Sequence, residues 1–266
     1  MAGKAQAKTQ VAASAAVIAV LVFDYRSFGA SGGEPRQRVI PRDQMDDYHN
    51  ALTWLSLQPE VDPNRLGVWG SSFSGAHVIQ VTAHDSRVKA VVSQVGPMDL
   101  DQITRGLAGA EQFAALQQLV IEERIRYAKE GGERYVPSAG RPGEGFALQA
   151  DEDSYNFGTQ AKATVAPAWR NEATMSSLAA ILQHAAGRFI DLVSPRPLLM
   201  ILARGDAIIP PASIRSAFAR AGEPKRLLEI EGGHYTVYTG SGADKAAQAA
   251  TAWFTEHLVN AKAVAP

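Results

Sequence analysis

The sequence contains no cysteine. That excludes disulfide staples, a thiolate nucleophile and cysteine-ligated metals. It also lacks a surplus of charge, since 26 basic side chains stand against 27 acidic ones for a net charge of −1. Such a balance offers no electrostatic footprint for nucleic acid or an anionic membrane. Six histidines are scattered without metal-ligand spacing, so no metal or other cofactor is expected. A membrane helix needs about 20 apolar residues. The apolar run from Val11 to Phe23, broken only by Ser14, falls short of that. With Lys4 and Lys8 before it, this run has the outline of a signal peptide. It leads straight into Asp24-Tyr25-Arg26 without a small-residue cleavage site, however, and its β-branched half reads as a buried parallel strand over 17–24. A cytoplasmic location is expected.

What is present points to enzyme chemistry. The chain has 266 residues, 46% hydrophobic and 20% charged, which suits one large α/β domain with an insertion. Arg65-Leu66-Gly67-Val68-Trp69 reads as a strand, and Ala76-His77-Val78-Ile79-Gln80-Val81 as a helix. Between them lies Gly70-Ser71-Ser72-Phe73-Ser74-Gly75. Strand, small-residue turn and helix form the setting of a nucleophile elbow, with Ser72 as the nucleophile. The usual second glycine of G-x-S-x-G is replaced by Ser74, and Gly75 follows one place later. An acid and then a base should come downstream, each just past a strand. Leu198 to Ala203 reads as a strand that runs into Asp206, and Arg226 to Ile230 as one that runs into Gly232-Gly233-His234. Asp99, beyond a strand ending at Val95, is the alternative acid. The remaining histidines (His49, His77, His84, His184 and His257) read as packing or surface residues.

Strands alternating with helices predict a doubly wound, mostly parallel sheet. Residues 1–16 are expected to be a disordered tail. Residues 17–96 and 196–262 read as the core. Residues 97–195 read as a helical insertion, placed where a cap would cover the face beyond the C-terminal strand ends. Within this plan Met45, Tyr48, Leu52 and Leu55 predict a helix capped by Asp43. Gly131 to Gly145 reads as a loop, and Trp169 as a buried packing residue.

Phe23-Asp24-Tyr25-Arg26-Ser27-Phe28-Gly29-Ala30-Ser31-Gly32-Gly33, the elbow, Ser93-Gln94-Val95 and Gly232-Gly233-His234 carry a family resemblance. Together they resemble α/β-hydrolases of the dienelactone hydrolase and X-Pro dipeptidyl-peptidase group, closest to the branch of fungal polyketide transferases. The resemblance implies a triad of Ser72, Asp206 and His234, an oxyanion donor in the backbone N–H of Phe73, and a small-molecule acyl substrate. It implies a serine hydrolase acting on an ester, thioester or amide, or alternatively an acyltransferase with the same triad. One departure stands out. Family members carry further strands before the one at 17–24, and the last of these ends in a His-Gly loop that supplies a second oxyanion donor. Too few residues precede Val17 for those strands, so a shortened, weakly active member with an exposed sheet edge is a further expectation.

Overall fold

The computed structural model describes residues 18–260. It divides into two compact units. One gathers residues 18–23, Met45–Asp99 and 185–260. The other gathers Asp24–Gln44 and Leu100–His184.

The first unit is built on a four-stranded parallel sheet. Its strands are β1 (Leu66–Ser71), β2 (Val88–Gln94), β3 (Leu198–Ala203) and β4 (Lys225–Ile230), in the order β1-β2-β3-β4. Helix α1 (Pro41–Ser56) enters this unit from Met45 onward, and α2 (Phe73–His84) follows β1 directly. Strand β3 is the centre of the core. All six of its residues are at most 1% exposed. Burying each of its larger apolar side chains contributes about 1.5–3 kcal/mol. Side chains alternate across a strand. Leu199, Ile201 and Ala203 therefore share one face, where they cluster with Val92, Ile230, Ala246, Ala250 and Trp253. The last three of these lie on the closing helix Gly240–Phe254.

The other unit is mostly helical. Its α3 (Leu100–Glu130) is broken at Gly109, whose φ of 78° only glycine adopts without strain. Helix α4 (Glu152–Thr164) starts where Asp151 accepts the Ser154 N–H at 2.8 Å, a standard carboxylate cap. Helix α5 (Ser177–Leu182) follows. Buried Glu123 is gripped by Arg126 at 2.7 Å and Arg134 at 3.1 Å. The stretch expected as a loop over 131–145 carries two short rungs of sheet, Tyr135–Val136 pairing Ala173–Thr174 and Ala139–Gly140 pairing Gln149–Ala150.

Two local expectations are corrected. Helix α1 starts at Pro41, so Asp43 lies in its first turn instead of capping it. Proline has no N–H to leave unsatisfied there, and the carboxylate still meets the positive end of the helix dipole. The strand expected over 17–24 does not form in residues 18–24, while Val17 lies outside the described residues. Val20 and Val22 are 43% and 60% exposed. Among the described residues no strand pairs with the outer edge of β1. The Trp69 carbonyl on β1 instead accepts the Tyr48 hydroxyl at 3.0 Å, and Phe23 packs edge-on against the Tyr48 ring. A β-branched apolar run needs a neighbouring strand before it becomes one itself.

Candidate active site

The turn between β1 and α2 holds Ser72 at φ 51° and ψ −124°, a conformation that non-glycine residues rarely occupy. Several contacts impose it. The Ser72 N–H donates to the Gln94 carbonyl at 2.9 Å, and the Ser72 carbonyl accepts the Gly75 N–H at 2.8 Å. The Ser93 hydroxyl donates to the Gly75 carbonyl at 2.7 Å. A methyl group at Gly70 would lie 2.1 Å from the Ser74 carbonyl oxygen. One at Gly75 would lie 2.6 Å from the Gln94 carbonyl oxygen and 2.9 Å from the Gly96 Cα. Close backbone approach therefore accounts for Gly70 and Gly75. Ser74 keeps its side chain half-buried beside them. Val95, just after β2, also holds a positive φ of 42°, unusual for a β-branched residue. Two of the four described non-glycine residues with positive φ, Ser72 and Val95, thus lie at the elbow.

Asp206 lies in the turn beyond β3 and is 5% exposed. Its Oδ1 accepts the N–H groups of Ile208 at 2.9 Å and Ile209 at 2.8 Å. Its Oδ2 lies 2.7 Å from His234 Nδ1. His234 follows the Gly232-Gly233 turn beyond β4 and is 2% exposed. Its Nε2 lies 3.0 Å from Ser72 Oγ. A carboxylate only accepts, so Nδ1 carries the proton and Nε2 presents its lone pair to the serine hydroxyl. The structure thus brings Ser72, His234 and Asp206 into one hydrogen-bonded chain. The carboxylate bonded to His234 is that of Asp206, not of Asp99. Phe73 is the first residue of α2, where backbone N–H groups face outward along the helix axis.

The other histidines are placed elsewhere. His77 is fully buried against the Phe73 ring. His49 pairs with Asp85 at 3.0 Å, and His84 bonds the Gln80 carbonyl at 2.8 Å. His184 is buried in the helical unit, and His257 packs on Trp253. Trp169 packs over Gly158. Among the described residues no group of three or more His, Cys, Asp or Glu side chains could hold a metal. Among them, too, no helix is long and apolar enough to cross a membrane.

Tyr238 is a site neighbour that no sequence motif marks. It lies in the short helical turn His234–Tyr238, and its hydroxyl accepts the Ser71 hydroxyl at 2.6 Å. The Ser71 oxygen in turn accepts from Gln94 Nε2 at 2.9 Å. A tyrosine four residues past the histidine carries no periodic or motif signal. Only the folded turn brings it back to the elbow.

The model of the X-Pro dipeptidyl-peptidase (S15) family matches residues 4–183. Thiohydrolase aneE of Aspergillus aculeatus is 31% identical over 235 residues, covering 84% of this chain and 72% of its own length. Polyketide transferase af380 of Aspergillus fumigatus is 27% identical over 244 residues, covering 91% of this chain and 80% of its own. The solved structure of DcsB, in complex with its substrate analogue, superposes with a TM-score of 0.78 at 26% identity. It covers 91% of this chain and 81% of that one.

Proposed function

Because this chain belongs to the X-Pro dipeptidyl-peptidase (S15) family and is an α/β-hydrolase, we propose that it transfers the acyl group of a small ester or thioester through Ser72. The observation that carries this reading is the chain of hydrogen bonds from Ser72 Oγ to His234 Nε2 at 3.0 Å and from His234 Nδ1 to Asp206 at 2.7 Å. Ser72 Oγ attacks the acyl carbonyl as its proton passes to His234 Nε2. The negative oxygen that forms meets the Phe73 N–H at the start of α2. The leaving alkoxide or thiolate then takes the proton from Nε2, and the acyl group stays on Ser72. Water attacks this ester with His234 again as base, releasing the acid and restoring the serine. Asp206 holds the imidazole in the required tautomer and stabilises its charged form.

The thiohydrolase relative supports a thioester as the substrate and water as the acceptor. The polyketide transferase relative supports a second reading, in which another nucleophile replaces water at the same acyl-enzyme. The test is turnover of 4-nitrophenyl acetate and of a short acyl thioester by wild type and Ser72→Ala. The reading expects the alanine variant to lose turnover of both substrates while keeping its melting temperature. Retained turnover in Ser72→Ala would contradict it. Release of acid in water alone favours hydrolysis. Turnover that starts only when an alcohol or amine is added favours transfer.

A further inference from the structure

Tyr238 belongs to a directed chain of hydrogen bonds beside the nucleophile. Gln94 Nε2 is a donor only, so at 2.9 Å it fixes the Ser71 oxygen as acceptor. The Ser71 proton is then directed to the Tyr238 oxygen at 2.6 Å. With that oxygen accepting, the phenol's own proton is directed away from Ser71, whose chain neighbour is the nucleophile Ser72. Ser72 has already committed its proton to His234 Nε2 at 3.0 Å, so its oxygen can accept. Gln94 serves the elbow twice, because its carbonyl also takes the Ser72 N–H. The ring of Tyr238 stands 6.1 Å from the imidazole of His234, on the same short turn.

We infer that the Tyr238 hydroxyl is a catalytic hydrogen-bond donor at Ser72, to Oγ in the resting enzyme and to the acyl oxygen as negative charge develops there. This rests on the reading of Ser72 as the nucleophile. The acyl oxygen in the tetrahedral adduct is bonded to the carbon that Ser72 Oγ has attacked, so a donor that reaches Oγ reaches it by a small turn of the phenol. No bond to Tyr238 forms or breaks, and its proton stays on the phenol. Burial pushes that phenol up to about 12, so it remains a donor throughout the neutral range. Tyr238 would then share with the Phe73 N–H the work of meeting the developing charge.

The test compares wild type with Tyr238→Phe on 4-nitrophenyl acetate and on an acyl thioester. Both proteins are also titrated with a trifluoromethyl ketone, whose adduct with Ser72 carries a negative oxygen in the acyl-oxygen position. Loss of one such donor lowers kcat by about 10²-fold, with the inhibitor weakened by a similar factor. KM should stay within about threefold, because the interaction is made chiefly in the transition state. An unchanged kcat would overturn the inference. So would a fall in kcat with unchanged inhibitor affinity, since that is the signature of a structural role. Should the Phe variant fail to fold, 3,5-difluorotyrosine at position 238 keeps the ring and the hydroxyl while making the phenol more acidic. Inhibitor binding at neutral pH should then tighten, and unchanged binding would refute the role. Full turnover in Ser72→Ala would remove the nucleophile itself. An inactive Ser72→Ala beside a fully active Tyr238→Phe would remove only Tyr238.

Discussion

Replacing Asp206 by asparagine changes one atom and should disable the site through a tautomer. Oδ1 of Asp206 is held by two backbone donors, the N–H groups of Ile208 at 2.9 Å and Ile209 at 2.8 Å. In Asp206→Asn the amide oxygen stays with those donors. The opposite flip would set an NH2 group against both N–H groups, and each buried unsatisfied donor costs about 1–3 kcal/mol. The amide NH2 therefore faces His234 Nδ1, which becomes the acceptor. The imidazole proton moves to Nε2 and points at Ser72 Oγ, 3.0 Å away, so the base that should take the serine proton now presents one of its own. A wrong tautomer of this kind lowers kcat about 10⁴-fold, equivalent to about 5 kcal/mol of barrier. The assay is steady-state turnover of 4-nitrophenyl acetate, with a thermal melt to show that the variant is folded. A folded Asp206→Asn enzyme retaining a tenth of wild-type kcat would refute the reasoning. A larger loss in Asp99→Asn would move the acid role to that residue.

Further outcomes follow from the same geometry. Gly75→Ala sets a methyl group 2.6 Å from the Gln94 carbonyl oxygen, where only backbone could yield. Overpacking of this kind costs about 1–3 kcal/mol and lowers Tm by about 2–4 °C per kcal/mol, so a melt within 1 °C of wild type would contradict the crowding argument. Burial lowers His184 from 6.5 to about 4. Because the folded chain binds that proton less readily than the unfolded one, the stability held above pH 6.5 is lost as pH falls towards 4, by about 3 kcal/mol in all. Denaturant titrations between pH 7 and 4 should show this loss in wild type and not in a folded His184→Leu variant, and equal slopes would count against a buried neutral imidazole.

The legible parts of the fold were those whose signal is local. Leu198 to Ala203 is apolar at every position because both faces of β3 are covered, and the fully buried strand follows. The Gly-Gly turn before His234 and the small residues around Ser72 mark their sites because the backbone there is crowded or sharply bent. Other features depend on residues distant in sequence. The run at 18–23 looks like a strand, but strand formation depends on a neighbour, and among the described residues it has none. The shift of the second elbow glycine from 74 to 75 makes sense only beside Gly96, just past the end of β2, since Gly75 and Gly96 pack backbone to backbone. Tyr238 is illegible in the sequence for a similar reason. Its partner Ser71 lies 167 positions away, and serine beside a nucleophile looks like one more small turn residue.

The claim that an acyl group passes through Ser72 is tested most directly by trapping it. An acyl thioester is mixed with the protein, quenched in acid within the first turnovers and digested for mass spectrometry. The account predicts that the peptide containing Ser72 gains the mass of the acyl group, and that the same peptide from Ser72→Ala does not. Turnover with no acyl mass on Ser72, or an adduct that persists in Ser72→Ala, would contradict it.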